Sequence, residues 1–411
     1  MAKIAILSLG GHGHVNPTLA VVEELGRRKH DVTLWVTEEF KKNVEAIAVK
    51  FKPVDSLMAK AERPQNVDPQ MMVALFSKLI MEETLHVLPQ LEKEWIEDRP
   101  DLLLFDNMCL SGRILAEAYG IPAIALFTTY PGNAQFDLFH HLGTLAGEAQ
   151  ADYEVIMDGI VSKYGVRWFP FHDLFTHAEP LNLVFMPHSW QPHADLFDER
   201  FQFIGPCLGT RLSGSEFPVE LLQRHPLLYI SLGTAWSDRP EFYRTCFQAF
   251  EKSEWNVIMS IGNKTDVRVL GRIPENFTVR AHLPQLEVLR SAHVFLTHGG
   301  MNSTMEGLSF GVPLVAIPQM FEQAVTARRI ADKGVGISLE GAVLHPDLLR
   351  SSVDRAAYDP EIRKQVSILQ SAIQATGGAK LAADLIQEYG AKLNLSLRPQ
   401  SERSGSASET T

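Results

Sequence analysis

Cysteine is nearly absent, with three in 411 residues. Cys109, Cys207 and Cys246 are odd in number, scattered, and without metal-ligand or redox spacing. They exclude a disulfide framework and a thiolate metal site, and read as reduced core residues of a cytosolic protein. Long apolar runs are missing too. The run Ile4 to Leu9 is too short for a signal segment and stops at Gly10-Gly11, and nothing later approaches the roughly 18 apolar residues of a membrane span. The expectation is a cytoplasmic protein. Positive charge is in deficit: 38 Lys and Arg face 49 Asp and Glu, for a formal charge of -11. A sequence-independent grip on nucleic acid or anionic lipid needs a basic face, so neither is expected as a partner. An anionic ligand must be neutralised locally, by backbone N–H groups, helix N-termini and a few placed side chains.

The chain is too long for one ordinary core and suits two domains of roughly 150 to 200 residues, with a cleft. Apolar strands at Ile4–Leu9, Val32–Val36, Leu102–Phe105 and Ala123–Leu126 alternate with amphipathic stretches such as Leu19–Leu25 and Ile114–Ala118. Asn16-Pro17 reads as an N-cap with proline at the first helical position. Such alternation builds an α/β fold with a parallel sheet and helices on both faces. The pattern restarts at Leu227–Leu232 and continues through strands near Val257–Ser260, Val294–Leu296 and Leu314–Ile317. Ser231-Leu232-Gly233 echoes Ser8-Leu9-Gly10. The expected division is a first domain over 1–205, a linker over 206–226 and a second domain over 227–375. A terminal helix over 376–392 packs back on the first domain, and a polar tail over 393–411 is disordered.

Ligands of open α/β sheets bind beyond the carboxyl ends of the strands, where the strand order reverses. Two candidate sites lie at such ends. The first, Gly10-Gly11-His12-Gly13-His14-Val15-Asn16-Pro17, is a near miss of the dinucleotide fingerprint, with Asn16 at the third glycine position. Imidazole in a tight loop there suits general-base work near neutrality. The strand ending Leu104-Phe105-Asp106 neighbours the first strand in a doubly wound sheet, so Asp106 emerges beside His14 and can orient it. His12 is the competing base, and a helix-capping His14 beside a strand-terminal Asp106 is the plainer alternative. The second site runs from Thr297 through His298-Gly299-Gly300-Met301-Asn302-Ser303-Thr304-Met305-Glu306. Its glycines permit close backbone approach, the helix N-terminus favours an anion, and Glu306 sits where a carboxylate can accept from a ribose diol. An N-capped helix without ligand is the bland alternative.

The ordered series Leu283-Pro284-Gln285, His298 to Glu306, Gly311-Val312-Pro313 and Pro318-Gln319-Met320-Phe321-Glu322-Gln323 resembles the donor-binding signature of the UDP-glycosyltransferases, and within them the bacterial macrolide and flavonoid glucosyltransferases of the YjiC type. The resemblance spans nearly the whole chain. It implies the GT-B fold, two Rossmann-like domains facing across a cleft, with the acceptor on the first and the UDP-sugar on the second. It makes His14 the general base and Asp106 its orienter. His298, Gly300, Asn302 and Ser303 would bind the diphosphate with help from Ser231 and Thr234, and Glu306 would hold the ribose. Leu283 would meet uracil through its backbone with Gln285 nearby, and Glu322 and Gln323 would bind sugar hydroxyls.

Two departures from the plant pattern matter. His282 replaces a tryptophan that stacks on uracil, which loosens base selectivity, and Glu322-Gln323 replaces Asp-Gln, which lengthens the carboxylate's reach. The resemblance implies an inverting, metal-independent O-glycosyl transfer from UDP-glucose, the donor being a co-substrate, with no cofactor. The protein is expected as a monomer or weak oligomer. The acceptor side is expected to be a small apolar hydroxylated compound such as a flavonoid, another phenol or a macrolide. Met71–Leu91 and the long connection Phe127–Leu142, with Phe127, Tyr130, Phe136 and Phe139, are candidate pocket walls. A packed helix face is the alternative for each. A UDP-sugar epimerase or hydrolase of the same fold is the rival reading. A nicotinamide-dependent dehydrogenase, using Glu38 or Glu39 on ribose, is disfavoured by Asn16.

Overall fold

The computed structural model describes residues 2–61, 69–138, 145–209, 217–223, 225–234 and 237–395. The chain forms two units, Met1–Thr210 with Gly377–Thr411, and Arg211–Thr376. The first unit runs β1 (Lys3–Leu7), α1 (His12–Arg27), β2 (Asp31–Val36), α2 (Lys41–Ala46), β3 (Lys50–Pro53), α3 (Leu57–Lys60) and α4 (Pro69–Glu97). It continues with β4 (Leu102–Asp106), α5 (Leu110–Tyr119), β5 (Ala123–Phe127), α6 (Gly147–Tyr164), α7 (Asp173–Thr176), β6 (Asn182–Val184) and β7 (Phe201–Phe203). These strands make one parallel sheet in the order β3-β2-β1-β4-β5-β6-β7. Every residue of β4 and β5 is buried, as sheets covered on both faces demand. The order reverses between β1 and β4, where Leu7 pairs with Phe105, so the loops after these two strands open at a topological switch point.

The second unit holds α8 (Val219–Leu222), β8 (Leu227–Ser231), α9 (Pro240–Phe250), β9 (Asn256–Ser260), β10 (Phe277–Arg280), α10 (Gln285–Leu289), β11 (Val294–Thr297) and α11 (Met301–Ser309). It ends with β12 (Leu314–Ala316), α12 (Phe321–Asp332), β13 (Gly336–Ser338), α13 (Pro346–Tyr358) and α14 (Pro360–Gln374). Its sheet is also parallel, in the order β10-β9-β8-β11-β12-β13. The switch lies between β8 and β11, where Ser231 pairs with Thr297. The two units thus repeat one Rossmann-like plan.

The last helix, α15 (Gly378–Lys392), returns to the first unit. Its Ala382, Ala383 and Ile386 share a buried cluster with Ile4, Val21 and Leu25. Arg28 fixes the helix from outside, donating to Asp384 at 2.6 Å. Leu395 also packs against that cluster, and its N–H bonds the Gly390 carbonyl at 2.9 Å. Residues 393–395 are therefore ordered where the sequence suggested a disordered tail, and 396–411 lie outside the described residues.

Helix α1 corrects a second expectation. It begins at His12 with Gly11 as cap, so Asn16 is helical and Pro17 lies inside the helix. The Gly11 carbonyl accepts from both His14 N (2.9 Å) and Val15 N (2.8 Å), starting the helix a turn before the Asn-Pro signal. His14 is consequently held on a helical first turn. Among the described residues no helix is long and apolar enough to cross a membrane. Cys207 and Cys246 are buried thiols, and Cys109 is partly buried.

Candidate active site

Three element ends converge in the first unit. His14 comes from the first turn of α1, Asp106 from the last residue of β4, and Thr128 from just past β5. His14 Nδ1 lies 2.7 Å from Asp106 Oδ2 and 2.8 Å from Thr128 Oγ1. The other Asp106 oxygen accepts from Met108 N at 3.0 Å. The aspartate side chain is 0% exposed and the imidazole 22%. A buried carboxylate bonded to Nδ1 fixes the tautomer and leaves the lone pair on Nε2, which is the arrangement of an oriented base. His12, the competing base, is exposed and packs edge-on to Phe40, with ring centroids 4.9 Å apart.

A pocket opens at the same strand ends, lined by Ser8, Gly10, Ser56, Glu83, Thr84 and Met108 among others. The segment Met71–Leu91 contributes Glu83, Thr84 and Val87 to it. Glu83 Oε2 accepts from Leu57 N (2.7 Å) and Met58 N (2.9 Å), which anchors α3. Cys109 also lines it. Burial, then the charges of Asp106 and Glu83, push its thiol well above the usual range. It stays protonated and is a poor nucleophile.

The aromatic residues read as pocket walls fare differently. Phe127 and Tyr130 are both 0% exposed. Phe127 packs on Phe201 with centroids 5.8 Å apart, and the Tyr130 hydroxyl accepts from Trp190 Nε1 at 3.1 Å. Both belong to the core, where large rings bury the most apolar surface. Phe136 is half-buried against Tyr130, at 5.4 Å. Phe139 lies outside the described residues.

In the second unit the segments after β8, β10, β11 and β12 present the other candidate residues. Helix α11 starts at Met301 with Gly300 as cap, and neither a capping side chain nor an acid occupies its first turn. Its first N–H groups therefore have no intrahelical acceptor and face an anion favourably. The His298 ring is clamped between glycines: a Cβ on Gly233, whose φ is +76°, would lie 2.8 Å from Cε1, and one on Gly300 would collide with Nε2. Burial pushes the imidazole down to about 4, against a weaker upward pull from the Ser231 backbone. It is neutral near pH 7 and keeps one N–H to donate. Ser231 is buried, its Oγ accepting from Gly233 N at 3.3 Å, while Thr234 is exposed.

Glu306 is fully buried on α11. Its Oε1 accepts from Asn302 Nδ2 at 2.7 Å and its Oε2 from Gln285 Nε2 at 2.6 Å. Gln285 also donates to Ser303 Oγ (3.3 Å) and accepts from Tyr229 OH (3.1 Å). The predicted set Gln285, Asn302, Ser303 and Glu306 is thus one network tying α10 to α11. Tyr229 completes it unforeseen, since a strand tyrosine carries no motif. His282 is exposed and Leu283 half-buried, just before this network. Glu322 is half-buried and Gln323 buried at the start of α12, with Gln323 Oε1 accepting from Gln319 N at 2.9 Å. Among the described residues no group of three or more His, Cys, Asp or Glu is placed to hold a metal ion.

Residues 4–132 match the glycosyltransferase family 28 N-terminal domain, and residues 246–387 the erythromycin biosynthesis protein CIII-like C-terminal domain. The chain is 40% identical over 396 residues to the NDP-glycosyltransferase YjiC of Bacillus licheniformis, covering 94% of this chain and 97% of that one. It is 32% identical to the oleandomycin glycosyltransferase of Streptomyces antibioticus, covering 94% and 90%. Its structure is similar to that of the calicheamicin glycosyltransferase CalG4, with a TM-score of 0.80, 32% identity and coverage of 96% and 99%. Two parallel-sheet Rossmann-like units, a glycine-lined helix N-terminus and matches along almost the full length agree: the chain belongs to the UDP-glycosyltransferase family, in its YjiC-like branch, and is a sugar-transferring enzyme of the GT-B fold.

Proposed function

We propose that the enzyme is an inverting O-glycosyltransferase that moves glucose from UDP-glucose to a hydroxyl of a small, largely apolar acceptor, a phenol, flavonoid or macrolide. The observation that carries this reading is the 2.7 Å contact between His14 Nδ1 and the buried Asp106. Nε2 takes the acceptor's proton as its oxygen attacks the anomeric carbon. The bond from that carbon to the diphosphate breaks from the opposite face, and its electron pair leaves on UDP. An α-linked donor yields a β-glycoside. Asp106 stabilises the imidazolium formed in the step.

The helix N-terminus at Gly300–Ser303 supplies donors for the departing diphosphate, which gains charge as the bond breaks, and the neutral His298 ring joins them by turning its single N–H from the Ser231 backbone to the phosphate. Preorganised donors of this kind let a chain of net charge -11 handle an anion, and no step calls on a metal. Access of ribose hydroxyls to Glu306 requires the amides of Gln285 or Asn302 to yield, since the carboxylate is buried behind them. Glu322 and Gln323 take the sugar hydroxyls. UDP is the expected nucleotide, although the relative named an NDP-glycosyltransferase and the exposed His282 both favour loose base selectivity. The relatives named for oleandomycin and calicheamicin support an apolar acceptor.

The test is mass spectrometry of products from UDP-glucose and a mixed phenolic and macrolide panel, in EDTA, for wild type and His14→Ala. Glycosides from wild type that vanish in the variant are expected. Hydrolysed or epimerised UDP-glucose without glycosides would move the chain to the rival class, and loss of wild-type turnover in EDTA would overturn metal independence.

A further inference from the structure

Thr128 is 5% exposed, and among the described residues the only hydrogen-bond partner of its hydroxyl is His14 Nδ1, at 2.8 Å. The same nitrogen is 2.7 Å from Asp106 Oδ2. An ionised carboxylate has no proton to give, so that contact places the hydrogen on Nδ1. Thr128 Oγ1 then approaches that hydrogen as a second acceptor, a three-centre bond. The sheet register arranges this: Asp106 pairs with Leu126, and Asn107 N donates to the Leu126 carbonyl at 3.0 Å. Thr128 therefore emerges at the end of β5 directly beside the end of β4.

We propose that Thr128 is a positioning residue for the base: Asp106 sets the Nδ1–H tautomer, and Thr128, as a second acceptor, holds the His14 ring in one plane. The inference rests on the assignment of His14 as general base. A second acceptor restricts rotation of the ring about its Cβ–Cγ bond. Asp106 and Thr128, on adjacent strand ends, together aim the Nε2 lone pair in one direction. When Nε2 takes the proton of the acceptor hydroxyl, positive charge reaches Nδ1–H, and its bonds to both oxygens strengthen. The gain is made in the transition state and falls on kcat. The β-branched threonine also restricts its own χ1, so the hydroxyl is held without a further anchor.

The experiment compares Thr128→Val, which keeps the shape and loses the hydroxyl, with Thr128→Ser, which restores it. Steady-state kinetics with UDP-glucose and a phenolic acceptor would be read beside 15N NMR of the His14 ring and a melting curve. The expected result for Thr128→Val is a fall in kcat of about tenfold, with both KM values within about twofold, and a 15N spectrum in which His14 keeps its Nδ1–H tautomer while the Nδ1 resonance shifts and broadens as the ring gains freedom. Thr128→Ser should recover kcat to within about threefold. An unchanged kcat in the valine variant, a loss that serine fails to restore, or an effect confined to donor KM would each overturn the inference. If the valine variant does not fold, Thr128→Ala is read by the same criteria. Full turnover in His14→Ala would instead overturn the base assignment itself; loss there with an unaffected Thr128→Val would overturn only the role of Thr128.

Discussion

His14 Nδ1 lies 2.7 Å from Asp106 Oδ2, and the aspartate is wholly enclosed while the imidazole keeps 22% of its surface open. The pair thus joins a buried anchor to a partly exposed imidazole. Asp106→Asn keeps the shape and the bond from Met108 N but removes the charge that stabilises the imidazolium. It should lower kcat by about 10²- to 10⁴-fold with unchanged circular dichroism. Steady-state kinetics at saturating donor check this, and a loss under about threefold would mean that the carboxylate is only structural.

Gly300 has φ -63° and ψ 141°, a backbone any residue adopts, so Gly300→Ala carries no conformational strain. Its one cost is collision with His298 Nε2. The ring, held on its other side by Gly233, has to shift, so calorimetric titration with UDP should show affinity down by about tenfold or more together with a stability loss of about 1–3 kcal/mol. Unchanged affinity would place the diphosphate elsewhere.

Glu306 receives two amide hydrogens, from Asn302 and Gln285. Glu306→Gln turns one acceptor oxygen into an NH2 group facing another amide donor. A buried mismatch of this kind costs about 1–3 kcal/mol. Urea denaturation should show that loss of stability together with a raised donor KM, whereas a raised KM at full stability would point to direct ligand contact alone.

Burial lowers both His30 and His298 from the ordinary 6.5, the latter to about 4. Neither ring nitrogen of His30 has a partner among the described residues. Because the folded values lie below the unfolded ones, the unfolded chain binds more protons between about pH 4 and 6.5, and stability rises with pH across that window. Urea midpoints at about pH 5 should fall below those at about pH 7, and His30→Leu should narrow the gap. Equal midpoints would contradict the assignment of these groups as buried and neutral.

Much of the fold was legible because parallel strands buried on both faces are continuous apolar runs, as in Leu102–Phe105 and Leu227–Leu232. The strands that escaped notice are short or polar. β3 reads Lys-Phe-Lys-Pro, largely exposed at the sheet edge, and β13 is only Gly-Ile-Ser. His14 and Asp106 were legible because strand order alone brings their loops together. Thr128 was not, since its relevance comes from the register of β4 on β5 and its residue type is common. Phe127 and Tyr130 suggested a pocket because an aromatic-rich connection looks the same in sequence whether its rings line a cavity or fill a core.

General-base catalysis by His14 is tested most directly with acceptors matched in size but differing in ionisation. One is a phenol of ordinary pKa, about 10, and the other is an acidic phenol already deprotonated at the assay pH. His14→Ala should lose about 10²- to 10⁴-fold in kcat with the first and little with the second, which needs no base. Equal losses with both, or none with either, would contradict the role of His14 as the base.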